Sequence, residues 1–221
     1  MTTRSYNQYC GLAYALDVIG ERWTLLIVRE LIAGPRRFTD LLQGLCDIST
    51  NLLTDRLKSL EQQGIVRRRT LPPPAASTVY ELTPLGLSLE KALLELGKWG
   101  SQFMPPMQEE TPLLRLGSYA LTPMTFFRAE DAQDLDERYT LHIDDETLQF
   151  HIHHGEIDVQ QGETYATDVT LCAPMKIYMG LLAGAIPLDD ALAAGMIQVE
   201  GNVDALRRFL RLCGLPSNIT A

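Results

Sequence analysis

Along the first hundred residues, apolar positions return every three or four places, the spacing of one helical face. Leu12, Leu16 and Ile19 share such a face, which Gly20 ends. Trp23, Leu26, Ile27 and Leu31 repeat it up to Gly34-Pro35. A short helix over 39–43 turns Leu41 and Leu42 inward, and Leu45-Cys46-Asp47-Ile48 forms the turn after it. Ser49 is then a good N-cap, with Ile48 placed to staple onto Leu53, and a fourth helix runs to Gln63 with Gly64 closing it. Leu53, Leu57 and Leu60 make its buried stripe; Asn51, Thr54, Asp55 and Lys58 gather opposite, with Thr50 at the N-terminal edge. The period then drops to two. A strand over 65–71 carries Arg67-Arg68-Arg69, a proline-rich loop spans 72–77, and a return strand spans 78–82. Thr83-Pro84 supplies the N-cap and N1 proline of a last helix reaching Phe103. Helix, turn, helix and two-stranded wing form a mostly α winged helix-turn-helix, whose second helix enters the major groove.

The pattern changes after Met104. Residues 105–112, with prolines at 105, 106 and 112, are polar and cannot continue a helix, which predicts a linker between domains at 1–104 and 113–221. A helix over 113–127 has Leu116, Tyr119, Ala120 and Phe127 as inward candidates. Strands over 138–143, 147–153 and 156–160 follow, turned by Asp144-Asp145-Glu146 and His154-Gly155. A fourth strand, 168–172, leads through Pro174 into a helix ending at Leu182. Asp189-Asp190 begins a short helix, 196–200 is another strand, and Gly201-Asn202 opens a final helix to Cys213. Strands followed by helices indicate an α+β domain.

Composition adds a bound. With 46% hydrophobic and 21% charged residues in 221, the chain is a globular protein rather than a disordered, collagenous or coiled-coil one. The uncharged stretch 177–188 is shorter than the roughly 20 residues that span a bilayer, so no membrane partner is expected. The first nine residues lack the apolar core of a signal peptide. Cys10, Cys46, Cys172 and Cys213 are widely spaced without a CxxC, which fits free thiols in a reducing cytoplasm. The formal charge of −9 opposes a surface that coats nucleic acid throughout. Resolved by position, residues 1–104 carry 12 Lys/Arg and 10 Asp/Glu, a net of +2, whereas 105–221 carry 7 and 18, a net of −11. Only the first half can face DNA.

Cys10, the run from Ala15 through Gly20-Glu21-Arg22-Trp23 to Leu26, and Gly34-Pro35-Arg36-Arg37-Phe38 resemble HxlR-type transcriptional regulators. So do Leu53-Thr54-Asp55-Arg56-Leu57, Gly64-Ile65-Val66 and Tyr80-Glu81-Leu82-Thr83-Pro84. The resemblance covers nearly all of 9–103 and implies a homodimer, built from the first and last helices, on an inverted repeat of double-stranded DNA. Leu85, Leu89, Leu93, Leu96, Trp99 and Phe103 give the last helix an apolar face for that role, or for packing within its own domain. Two positions depart from the family: Asn51 stands where Lys is common, and Asp55 where an amide is common. Asn51 can read adenine and Asp55 can accept from cytosine N4, although Asp55 repels phosphate. The wing tip is proline and alanine rather than basic, so phosphate clamping falls to Arg36, Arg37, Arg67, Arg68 and Arg69. Because the last three alternate along a strand, at least one faces the domain's own acids. Arg56, beside the leucine stripe, suits an internal ion pair as well as a phosphate contact.

The second half resembles the sterol carrier protein type two superfamily through 179–184, Leu188-Asp189-Asp190-Ala191-Leu192 and Gly195 to Asn202. That resemblance implies an apolar tunnel for a lipid-like ligand, with Phe126, Phe127, Phe150, Tyr178, Met179 and Leu182 as candidate lining or as ordinary core. His151 and His153 share a strand face, near His142, but no carboxylate or thiol has diagnostic spacing, so solvated histidines are preferred to a metal site. No GxSxG, P-loop, GxGxxG or HExxH supports an enzyme, and no cofactor is expected. Some HxlR-type proteins sense oxidants or electrophiles with a thiol at the position of Cys10; a buried small hydrophobe is the plainer reading. The expectation is therefore a cytoplasmic regulator modulated by an apolar ligand. The alternatives are a repressor switched at Cys10 and a lipid-binding carrier whose helix-turn-helix contacts proteins.

Overall fold

The computed structural model describes residues 5–73, 76–104 and 116–215. The segment 105–112, the start of the helix expected from Leu113, the wing-tip pair Pro74 and Ala75, and the side chains of Leu116 and Tyr119 lie outside the described residues. The chain divides into two compact units, Met1–Leu93 and Leu94–Ala221.

The first unit runs α1 (Gly11–Ile19), α2 (Thr24–Ile32), β1 (Arg36–Arg37), α3 (Phe38–Gly44), α4 (Thr50–Gln62), β2 (Val66–Thr70), β3 (Thr78–Leu82) and α5 (Pro84–Leu87), and enters α6 (Glu90–Gly100). Its core is where the helical stripes meet: Ile27, Val28, Leu31, Leu41, Leu45, Leu53, Leu57 and Leu60 are all buried. Removing these side chains from water, at roughly 25 cal/mol per Å² of apolar surface, is the main force holding α4 in place. The wing forms a three-stranded antiparallel sheet in the order β1-β3-β2.

Three local features differ from the sequence reading. Trp23 is not helical; it precedes α2 in the left-handed region at φ 79°, unusual for a bulky side chain. Two residues, Arg36 and Arg37, pair with Tyr80 and Val79 as a strand too short to show a period. The last helix is broken at Ser88-Leu89. There Leu89 N bonds the Gly86 carbonyl at 3.1 Å and the Ser88 hydroxyl donates to the Leu85 carbonyl at 2.7 Å, tightening the turn. Gly86 itself lies against the backbone just before β2, where a Cβ would come 2.2 Å from the Ile65 carbonyl oxygen.

The second unit contains the remainder of α6, α7 (Leu116–Thr125), β4 (Asp136–Ile143), β5 (Glu146–His153), β6 (Glu156–Gln161), β7 (Val169–Ala173), α8 (Met175–Leu182), α9 (Leu188–Ala193), β8 (Gln198–Gly201) and α10 (Val203–Cys213). Its five strands follow the order β6-β5-β4-β7-β8, antiparallel except for the parallel pair β4 and β7. One sheet face is apolar through Tyr139, Leu141, Leu148, Phe150, Val169 and Leu171, and the buried side of α10 supplies Ala205, Leu206, Phe209 and Leu212. Asn202 caps α10 by accepting from the amides of Asp204 and Ala205 at 3.0 and 3.2 Å. The α+β expectation describes this unit. No helix among the described residues is long and apolar enough to cross a membrane.

Candidate nucleic-acid interface

Ser49 starts α4, its hydroxyl accepting from Leu52 N at 3.3 Å. Leu53, Leu57 and Leu60, at most 1% exposed, fix which way the helix faces. The 3.6-residue period then leaves Thr50, Asn51, Thr54, Asp55 and Lys58 exposed together. Thr54 donates to the Thr50 carbonyl at 2.8 Å, so its methyl and lone pairs are what it offers outward. Arg56 is committed internally: its guanidinium bonds the Arg22 carbonyl at 3.2 Å and the Glu21 carboxylate at 2.9 Å, clamping the turn before α2. The clamp joins α4 to the positive-φ turn at Trp23, a link that spacing along the chain does not reveal.

The arginines sort by strand register. Arg67 lies opposite Glu81 and Arg69 two residues on, so both reach the same carboxylate, at 2.7 and 2.8 Å. Arg68 points to the other face and pairs with Glu61 near the end of α4 at 2.7 Å. All three guanidiniums remain about half exposed or more, with donors left over after the ion pair. Arg37 is exposed, bonded to Ser77 at 3.2 Å. Arg36 corrects the sequence reading. It is only 6% exposed, because its place on β1 opposite Tyr80 turns it into the unit, and a buried guanidinium cannot clamp a phosphate.

A second surface lies on α1. Leu12, Tyr14 and Leu16 are exposed, and with Leu85 and Leu87 of α5 they leave a broad apolar face uncovered in the single chain. Between α1 and α5 runs an apolar groove of about 350 Å³, lined by Tyr14, Val18, Ile19, Ile65, Leu85 and Leu89. Along the last helix Leu93 is buried within the chain, whereas Leu96, Trp99 and Phe103 are exposed. Cys10 is the N-cap of α1 and is exposed. The amides of Ala13 and Leu12 at the helix start stabilise its thiolate and lower its pKa from the ordinary thiol value. The segment before it is tied back along α1, since Asp17 accepts from the Ser5 hydroxyl at 2.8 Å and the Tyr6 amide at 3.0 Å.

Residues 18–108 match the model of the HxlR-like helix-turn-helix family. Over 92 residues the chain is 38% identical to the HTH-type transcriptional regulator YodB of Bacillus subtilis, covering 42% of this chain and 82% of that protein. The chain belongs to the HxlR-like helix-turn-helix family. It is thus a DNA-binding transcriptional regulator of the winged helix-turn-helix type. Solved structures of YodB include a reduced form (35% identical, 46% of this chain and 100% of that chain, TM-score 0.39) and a quinone-bound form (35% identical, 42% and 97%, TM-score 0.37). Residues 127–214 match the model of the SCP-2 sterol transfer family, so an HxlR-like unit is followed by a sterol-carrier-like one.

Of the six residues proposed as tunnel lining, Phe150, Tyr178 and Leu182 are fully enclosed, Met179 is buried, and Phe126 and Phe127 are half-buried past the end of α7. Phe150 packs on Phe209 with ring centroids 5.3 Å apart, and Phe209 packs on Tyr139 at 4.9 Å. For Phe150 that is the environment of a core residue.

The wing carries a pH prediction. Burial raises the pKa of Glu81, but the hydrogen bonds from Arg67 and Arg69 outweigh it and the net effect is downward. A carboxylate with a lowered folded pKa stabilises the protein above its unfolded pKa, and loses that contribution as pH falls through the folded value. Because both arginines are substantially solvated, the contribution is about 1 kcal/mol or less. Thermal melts should show the wild type losing stability below the usual carboxylate range more steeply than Glu81→Gln; parallel curves would contradict this.

Proposed function

We propose that the protein is a homodimer that binds an inverted repeat in duplex DNA through α4, and that the state of the Cys10 thiol sets its affinity. The supporting observation for DNA is the exposed row of α4. Asn51 offers an amide matched to adenine, Asp55 an acceptor matched to cytosine N4, and Lys58 a cation for phosphate. Arg68, paired with Glu61 of α4, and Arg37, Arg67 and Arg69 elsewhere on the wing sheet keep solvated donors for phosphate. The uncovered apolar face of α1 and α5 supports self-association, because a contiguous exposed patch of this kind marks an interface.

What favours the thiol switch over an apolar effector is the placement of Cys10: exposed, with a lowered pKa, at the N-cap of the helix that carries the apolar face. A group added to its sulfur would stand at the edge of the dimer contact. The descriptions of YodB as reduced and quinone-bound agree with this reading. The likeness of the second unit to the SCP-2 sterol transfer family supports an apolar effector there as the second reading.

Gel shift with the DNA upstream of the protein's own coding sequence, before and after alkylation by iodoacetamide, tests the proposal. Cys46→Ser serves as background, because Cys46 is also exposed and lies in the turn before α4. Alkylation should weaken binding at least about tenfold, equivalent to 1.4 kcal/mol, and Cys10→Ser should bind normally and ignore the reagent. Unchanged binding after quantitative alkylation of Cys10 would reject the switch, and absence of any retarded complex would reject the DNA assignment for that site.

A further inference from the structure

The face of the five-stranded sheet turned away from its apolar core carries a cluster of side chains that DNA binding does not use. β5 lies between β4 and β6, and its alternation puts His151 and His153 on one face, two residues apart. The register sets Asp136 of β4 opposite His153, and Asp158 of β6 opposite His151. Each imidazole therefore meets a carboxylate diagonally: His151 Nε2 lies 2.7 Å from Asp136, and His153 Nε2 lies 2.8 Å from Asp158. The two rings are stacked obliquely with centroids 4.4 Å apart. One ligand atom from each of His151, His153 and Asp158 falls within a span of 4.8 Å.

We infer that His151, His153 and Asp158, with Asp136 as a further carboxylate, form a binding site for a divalent transition-metal ion of the zinc class. A four-coordinate zinc takes imidazole nitrogen and carboxylate oxygen at about 2.0–2.2 Å, which sets ligand atoms about 3.3–3.5 Å apart; the 4.8 Å span must therefore close by about an ångström or more, and the 2.8 Å His153–Asp158 pair must open by about half an ångström. These are surface side chains, the carboxylates being well exposed, and the movement needs only their rotamers. On binding, the Nε2 proton that each ring donates to its carboxylate passes to solvent as Nε2 takes the metal, and the ligating ring carries its proton on Nδ1. The donor set decides the class. Two imidazoles with carboxylate suit zinc, nickel, cobalt or copper, whereas calcium and magnesium require shells of oxygen. Arg138, opposite His151, is the neighbouring cation; it is drawn toward Asp136 at 3.8 Å and over the Tyr165 ring, which leaves Asp158 to the ion. The net charge of −11 over residues 105–221 favours a cation further.

This inference does not depend on the DNA assignment. Its test is a zinc titration of the full chain, stripped by chelator, against a chromogenic zinc indicator near neutral pH, with stoichiometry from equilibrium dialysis. Exposed Cys10 and Cys46 are alkylated first, so that thiols do not supply the ligands. One equivalent of zinc should bind, calcium should not compete, and His153→Gln and Asp158→Asn should each weaken binding at least about tenfold. Both substitutions are on the surface, and unchanged far-ultraviolet circular dichroism identifies them as folded. Absence of a saturable equivalent in the alkylated protein would overturn the site. So would an equivalent that survives both substitutions, and effective competition by calcium would overturn the metal class.

Discussion

Replacing Leu57 by alanine is expected to lower the stability of the helix-turn-helix unit by about 2–5 kcal/mol, the range for truncating a buried leucine. Leu57 is 1% exposed, between Leu53 at 0% and Leu60 at 1%, and these three alone bury the inner face of α4. The cavity would sit directly behind the exposed row, so the loss also loosens the element that carries Asn51 and Lys58. Denaturant unfolding followed by tryptophan emission in a Trp99→Phe background would report it, since Trp23 lies in the unit Met1–Leu93 and Trp99 in the second unit. A change below about 1 kcal/mol, the level of an ordinary surface substitution, would mean that α4 is not anchored by this stripe.

Reversing the charge of Lys58 is expected to have the largest effect on DNA binding. Lys58 is exposed on α4, one turn beyond Thr54 and Asp55. Its phosphate contact would release a counterion in each protomer, and a carboxylate there would add repulsion to that already set by Asp55. Lys58→Glu should therefore weaken binding about a hundredfold, almost equally on every sequence, and flatten the salt dependence by about one unit of slope per protomer. Asn51→Ala should behave differently, relaxing discrimination at one base position per half-site by about 1–3 kcal/mol while leaving the salt slope alone. Fluorescence anisotropy at several salt concentrations separates the two. An unchanged slope in Lys58→Glu would remove that residue from the interface.

What could be read from the chain depended on how local the determinant was. The stripe Leu53, Leu57 and Leu60, the caps at Ser49, Thr83 and Asn202, and the eight-residue strands β4 and β5 carry their signals in consecutive residues. The structure has the stripe and the caps there, and it starts β4 two residues and β5 one residue earlier than the periods put them, at Asp136 and Glu146. The burial of Arg36 follows from pairing with Tyr80, 44 positions away, and its basic neighbours in the sequence carry no sign of it. The break at Ser88-Leu89 leaves no mark in the pattern because the apolar spacing continues across it, while Gly86 must stay close to the Ile65 carbonyl. The carboxylates beside His151 and His153 were invisible for the same reason as Arg36: Asp136 and Asp158 arrive by register from neighbouring strands, and motif spacing does not contain them. The ion pairs of Arg67 and Arg69 were half legible, in that alternation pointed to an internal acid without identifying Glu81.

The most direct measurement is selection of bound sequences by the purified full-length protein from a pool of random duplexes, carried out in parallel with Asn51→Ala. A dimer that reads bases through α4 predicts enrichment of an inverted repeat with half-site centres about one helical turn apart. The variant should enrich the same repeat with one position per half-site degenerate. Failure of the wild type to enrich any sequence, or identical enrichment by wild type and Asn51→Ala, would contradict the assignment of α4 as the recognition element.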